Sequence, residues 1–100
     1  MTRIEKLRKL ADAEPNDPFV HYGLGMELMN LEHWDDALAS FAHVLSIDPG
    51  YPGAHLNKAK VEFRLGKGDA ARETLAAGIA VAKRRGDTHA ADQLRELLEA

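Results

Sequence analysis

Asp17–Pro49, DPFVHYGLGMELMNLEHWDDALASFAHVLSIDP, is the stretch whose pattern decides how the chain folds. Asp17 can accept a backbone amide at the start of a helix, and Pro18 suits the first turn, where no amide donor is needed. Val20, Leu24, Leu28 and Leu31 then recur at helical spacing, within about 80° of arc at 100° per residue. Asp35 and Asp36 place negative charge where a second helix would begin, and Ala37, Leu38, Phe41, Val44 and Leu45 share one side of it. Pro49 and Gly50 end that helix. The stretch predicts a helix over 18–31 and another over 35–47.

The same pattern returns further along. The step from Pro15 to Pro49 equals that from Pro18 to Pro52, about 34 residues in each case. That offset also superposes His21 on His55, Leu31 on Leu65, Asp35 on Asp69, Ala37 on Ala71 and Ala42 on Ala76. It aligns Leu7, Phe41 and Leu75, then Ala11, Leu45 and Ile79. A spacing shared by several residue types marks an internal repeat. The second unit predicts helices over 53–65 and 69–85, joined at Gly66-Lys67-Gly68 and stopped by Gly86. A lone helix over 2–13, with Ile4, Leu7, Leu10 and Ala11 on one stripe, precedes the pairs. Another over 88–99, with Ala91, Leu94, Leu97 and Leu98, follows them. No segment reads as a strand.

Leu24-Gly25, Leu28, Trp34, Ala37, Phe41 and Asp48-Pro49 resemble a tetratricopeptide repeat, a helix–turn–helix unit of about 34 residues. Ala59, Leu65-Gly66, Ala71 and Leu75 carry the resemblance into the second unit. Lys58 and Glu62 depart from it, standing where large apolar residues are expected, and Lys83 replaces the closing proline. The opening helix resembles the second half of a degenerate repeat, and the closing helix resembles a cap. The resemblance implies an all-α fold, a right-handed stack of antiparallel helix pairs. Residues 1–100 would form one domain, with an opening helix 2–13, repeats 18–51 and 52–85, and a capping helix 88–99. Small residues such as Gly25, Ala37, Ala59 and Ala71 would let helices approach closely, while Phe41 and Leu75 would fill the space between units.

The resemblance also implies a protein–protein interaction module that holds a peptide or helical segment in a concave groove lined by the first helix of each pair. It places Phe19, Tyr22, Met26, Met29 and Asn30 in that groove from the first unit, and Leu56, Lys60, Phe63 and Arg64 from the second. On the helical wheel Tyr22, Met26 and Met29 lie outside the stripe of Val20, Leu24 and Leu28, so they form a second apolar side. That side suits either a groove or ordinary packing. Lys60, Arg64 and Lys67 follow one another along a helix face beside Phe63. The arrangement either attracts an acidic or C-terminal carboxylate group next to an apolar anchor or forms a plain solvated face. Some members grip C-terminal carboxylates with a Lys/Asn/Arg clamp. Tyr22 and Met26 stand where its first Lys and Asn would be, and Asn57 alone could match. The alternative to a foreign partner is a homodimer built on the same apolar face.

Chemistry of other kinds finds little support. The chain has no Cys, which excludes disulfides and thiolate metal sites and suits a reducing compartment. Its five histidines include no pair at helical ligand spacing and no HExxH. Asp35 and Asp36 point about 100° apart on a helix, Gly66-Lys67-Gly68 lacks the strand that precedes a phosphate loop, and Ser40 and Ser46 have no placeable His/Asp partners. No catalytic, metal or cofactor role is expected. A net charge of −3 with mixed signs argues against nucleic acid. The charged Met1–Lys9 and the short apolar run Leu75–Ala82 argue against a leader and a membrane span, so a cytoplasmic location is expected. Lys58 and Glu62, at i and i+4, should form an ion pair at the margin of the core, because an unpaired buried charge is strongly unfavourable.

Overall fold

A computed structural model describes residues 1–100. They form six α-helices and no strand: α1 (Arg3–Ala13), α2 (Pro18–Asn30), α3 (Trp34–Ile47), α4 (Ala54–Arg64), α5 (Gly68–Arg84) and α6 (Thr88–Glu99). Each helix packs mainly on its neighbours in sequence, so the fold is a stack of helix pairs. Side-chain caps set three of the six starts. The Thr2 hydroxyl accepts from the Glu5 amide at 3.2 Å, and the Asp17 and Asp87 carboxylates each accept an amide of their own first turns at 3.0 Å.

Two apolar clusters hold the stack. The first joins Ala11 of α1, Val20, Leu24 and Leu28 of α2, Ala37 and Phe41 of α3, and Val61 of α4. The second joins Ala59 of α4, Ala71 and Leu75 of α5, and Leu94 of α6. Phe41 and Leu75, equivalent across the repeat, are both fully buried. Gly25 makes room for the first: a Cβ there would lie 2.8 Å from the Phe41 ring. The close approach expected at Gly25 is therefore present, and Ala37, Ala59 and Ala71 are buried as well.

Two residues of the expected stripes lie elsewhere. Leu31 is 45% exposed because α2 stops at Asn30 and the chain turns, so the helical wheel no longer governs where its side chain goes. Leu10 is 48% exposed. It sits about 60° round α1 from Leu7, beyond the edge that meets α2. Length differs too. α3 has 14 residues and ends before Pro49, whereas α5 has 17 and runs through Lys83, where no proline stops it.

Lys58 and Glu62 do form an ion pair, with Nζ 3.2 Å from Oε2. Thr74 of α5 closes it into a triad. The Lys58 ammonium donates to the Thr74 hydroxyl at 3.0 Å, and that hydroxyl donates to Glu62 Oε1 at 2.6 Å. Glu62 is buried, while Lys58 keeps about a fifth of its side chain in water. Each polar head is thus satisfied, as burial demands.

Candidate functional site: a hollow across the first helices

A hollow of about 620 Å³ opens where α2, α4 and α6 come side by side. Met29, Phe63 and Leu97 line it, one from each of these helices. They follow one another at the repeat offset, so one repeat position supplies apolar surface three times. Trp34, at the start of α3, and Lys60, Arg64, Glu32 and Ala100 complete the lining.

Charge is unevenly distributed around this apolar floor. The Arg64 guanidinium lies 4.9 Å from the centre of the Trp34 ring, within cation–π reach. Its Nη2 is 3.7 Å from a Glu32 carboxylate oxygen, a loose and exposed pair. Lys60 is exposed and makes no ion pair within 4.0 Å. Lysine, arginine and glutamate together give the lining side chains a net charge of +1.

Of the nine residues expected in a groove, Met29, Lys60, Phe63 and Arg64 line the hollow. Tyr22 and Met26, like Met29, pack against the first cluster, and Leu56 packs against the second. Tyr22 is fixed further. Its hydroxyl accepts from Asn57 Nδ2 at 2.8 Å, and its ring lies 5.7 Å from Phe41 and 5.1 Å from Tyr51. Asn57, the one residue matching the carboxylate clamp, is buried and committed to Tyr22 and to the Gly53 carbonyl. Phe19 and Asn30 are exposed and lie outside the hollow.

A second hollow, about 290 Å³, lies between the start of α4, the end of α5 and the start of α6. His55 lines it, and burial, followed by the charge of Lys58, holds its imidazole below the usual pKa. Tyr51 lines it as well, its phenol raised by burial and then by Tyr22, Asp17 and Asp48. His89 stands beside them, one repeat offset after His55, as His55 follows His21. The histidines diverge in role despite that spacing. His21 and His43 meet edge to face at 4.4 Å, and their Nε2–H groups donate to the Glu14 and Pro15 carbonyls at 2.9 and 2.7 Å. They clasp the turn between α1 and α2, a long-range contact that spacing alone does not reveal.

Leu97, Trp34 and Glu32 line the hollow without having been expected in the groove. Extending the repeat offset from Phe63 reaches Leu97 directly. Trp34 belongs to the repeat pattern in sequence, and only the turn between α2 and α3 brings it and Glu32 to the hollow. No helix of the chain is long and apolar enough to cross a membrane.

Stacked helix pairs with an apolar, cation-bearing hollow across their first helices define a helical-repeat scaffold. A family model described as Tetratricopeptide repeat matches residues 28–98, and the chain belongs to that family. It is similar to a tetratricopeptide repeat domain protein of Salinibacter ruber. The solution structure is 33% identical, covers 84% of this chain and 85% of the other, and has a TM-score of 0.78. A crystal structure of such a domain from Salinibacter ruber is 33% identical over 82% of this chain and 92% of its own, with a TM-score of 0.75. A protein of Bordetella parapertussis, solved in solution, covers 99% of this chain and 86% of its own at 25% identity and a TM-score of 0.82. None of the curated proteins matches the chain in sequence. The fold is that of protein–protein interaction modules in general, a family typically without catalytic activity.

Proposed function

We infer that the chain is an adaptor domain of the cytoplasm that holds a segment of another protein across α2, α4 and α6. The domain would act as one unit, from the opening helix through both repeats to α6. The observation that carries this reading is the hollow itself, where Met29, Phe63 and Leu97 repeat one position three times with Lys60 unpaired beside them. An apolar anchor fits the floor. Charge complementarity favours a partner whose anchor lies next to an Asp, a Glu or a terminal carboxylate, within reach of Lys60 and Arg64. The committed state of Asn57 argues against the Lys/Asn/Arg clamp as the means of grip.

The test is a peptide-display selection on the full chain, with Phe63→Ser as the counter-selecting surface. Enriched peptides should carry a large apolar residue within a few positions of an acidic one. Enrichment of basic peptides, or the same peptides on both surfaces, would reject the reading. Sedimentation equilibrium on the two proteins separates it from self-association. A dimer that Phe63→Ser dissolves would assign the hollow to a second copy of the chain instead.

A further inference from the structure

Three helices end in the same way. After α2, α4 and α5 the chain passes through a left-handed residue: Glu32 at φ 59°, Gly66 at 75° and Gly86 at 71°. In each case that residue and the next donate amides back into the last turn. The pairs are Glu32 to Met29 and His33 to Leu28, Gly66 to Phe63 and Lys67 to Glu62, Gly86 to Lys83 and Asp87 to Ala82. Glycine suits the conformation because it has no Cβ to crowd its own carbonyl. Glu32 is the one residue other than glycine with a positive φ. It stands one repeat offset before Gly66, at the equivalent place. The other two turns form without a carboxylate, so this turn does not require one. An unfavourable backbone conformation on the rim of a hollow points to a role outside the turn.

The surroundings identify the role. Glu32 is the one acidic side chain among those lining the hollow, and Arg64, 3.7 Å away, is its single ion-pair partner. Both side chains are mostly exposed, so the pair contributes little to the fold. The same guanidinium lies over the Trp34 ring, 4.9 Å from its centre. The carboxylate nearest the Arg64 charge thus comes from the chain itself, from the turn that follows α2.

We propose that Glu32 determines the specificity of the groove, acting as an intramolecular stand-in for the partner's carboxylate. It holds Arg64 over Trp34 until an acidic group on the partner, drawn in by Lys60, takes its place. This rests on reading the hollow as the partner site. Glu32 then competes with acid-bearing ligands and leaves neutral apolar ones untouched, so it sets how strong an acidic determinant must be.

The probes are N-acetyl-leucyl-phenylalanine as the free acid and as the C-terminal amide, titrated into the full ¹⁵N-labelled chain. The readout is the indole N–H of Trp34, the sole tryptophan. The wild-type chain should bind the acid more tightly than the amide. Glu32→Gly and Glu32→Gln should each tighten the acid by about two- to five-fold and leave the amide unchanged. That gain should vanish when Arg64→Gln is added. Glu32→Gly alone should also raise the melting temperature, since glycine relieves the turn and glutamine does not, which separates strain from charge. The proposal is overturned if the Glu32 variants leave acid binding unchanged, tighten acid and amide alike, or keep their gain beside Arg64→Gln. A wild-type chain that binds the acid while the Glu32 variants match it rejects Glu32 alone. Failure of both compounds to move the indole resonance in every variant rejects the groove reading with it.

Discussion

The two repeats solve the same interior differently. Where α2 carries Leu24 and Leu28, α4 carries Lys58 and Glu62. Where α3 offers Ser40, α5 offers Thr74, each pair equivalent across the repeat. The first repeat closes with leucines, and the second closes with an ammonium, a carboxylate and a hydroxyl bonded in a ring. Both interiors are sealed, but they differ in what holds them. Dispersion and burial tolerate approximate geometry, whereas a buried polar triad is favourable only while all its members are present. The second repeat should therefore be the brittle one.

The largest effect expected is loss of the filling side chain in either unit. Phe41→Ala should destabilise the domain by about 3–5 kcal/mol and Leu75→Ala by about 2–5 kcal/mol in denaturant melts, through lost burial and the cavity left behind. A value below about 1 kcal/mol for either would mean that the units are not packed as equivalents.

Substitutions in the triad come next in size. Lys58→Met leaves Glu62 buried with a single hydroxyl partner, and should fall toward the low end of roughly 3–5 kcal/mol, since Lys58 is a fifth exposed. Lys58→Leu with Glu62→Leu rewrites the second repeat in the terms of the first. That pair should be neutral, or stabilising by about 1–4 kcal/mol. If the double substitution destabilises more than the single one, the polar triad is a better closure than the leucines, and the contrast between the repeats is reversed.

Gly25 and Ala59 test the tightness of the same contact. Gly25→Ala gains about 1 kcal/mol of helix propensity but overpacks Phe41 by roughly 1–3 kcal/mol, so a net loss of up to about 2 kcal/mol is expected. Ala59→Gly should cost about 1 kcal/mol from propensity alone. A stabilising Gly25→Ala would show that the Phe41 ring has room to move.

The smallest effect is in proton binding. Burial and Lys58 hold the His55 pKa below its ordinary value, so between the two pKa values the unfolded chain binds more protons than the folded one. This group's contribution to stability is then complete above the unfolded pKa, about 6.5, and is lost as the pH falls from there toward the folded pKa. In an NMR titration His55 should titrate below a model imidazole and move upward in Lys58→Met. An unmoved His55 would place the ammonium too far away to act on it.

Much of this was legible in the residues. The repeat offset, the proline and glycine stops and the apolar stripes located all six helices to within a residue or two. The i, i+4 spacing of Lys58 and Glu62 announced their pairing. Thr74 did not announce itself, because a hydroxyl on the next helix enters the triad only once α4 and α5 are packed. The groove was half legible for the same reason. Helical angle separates Tyr22 and Met26 from the core stripe, but it cannot say that Phe41 of α3, Asn57 of α4 and Tyr51 of the turn between them will cover Tyr22. Met29, which also packs on the first cluster, and the exposed Phe63 lie nearer the ends of their helices and line the hollow.

Phe63 and Phe19 provide the most direct test of the hollow as the partner site. Both are exposed aromatic side chains on first helices, at 37% and 73%, and only Phe63 lines the hollow. The measurement is the affinity of one display-selected peptide for the wild-type chain, Phe63→Ser and Phe19→Ser, with helical circular dichroism confirming that each is folded. Phe63→Ser should weaken binding by about ten-fold or more, the loss of a central apolar anchor, and Phe19→Ser should leave it unchanged. Loss of binding in Phe19→Ser with full affinity in Phe63→Ser would contradict the account and move the interface to the opposite end of α2.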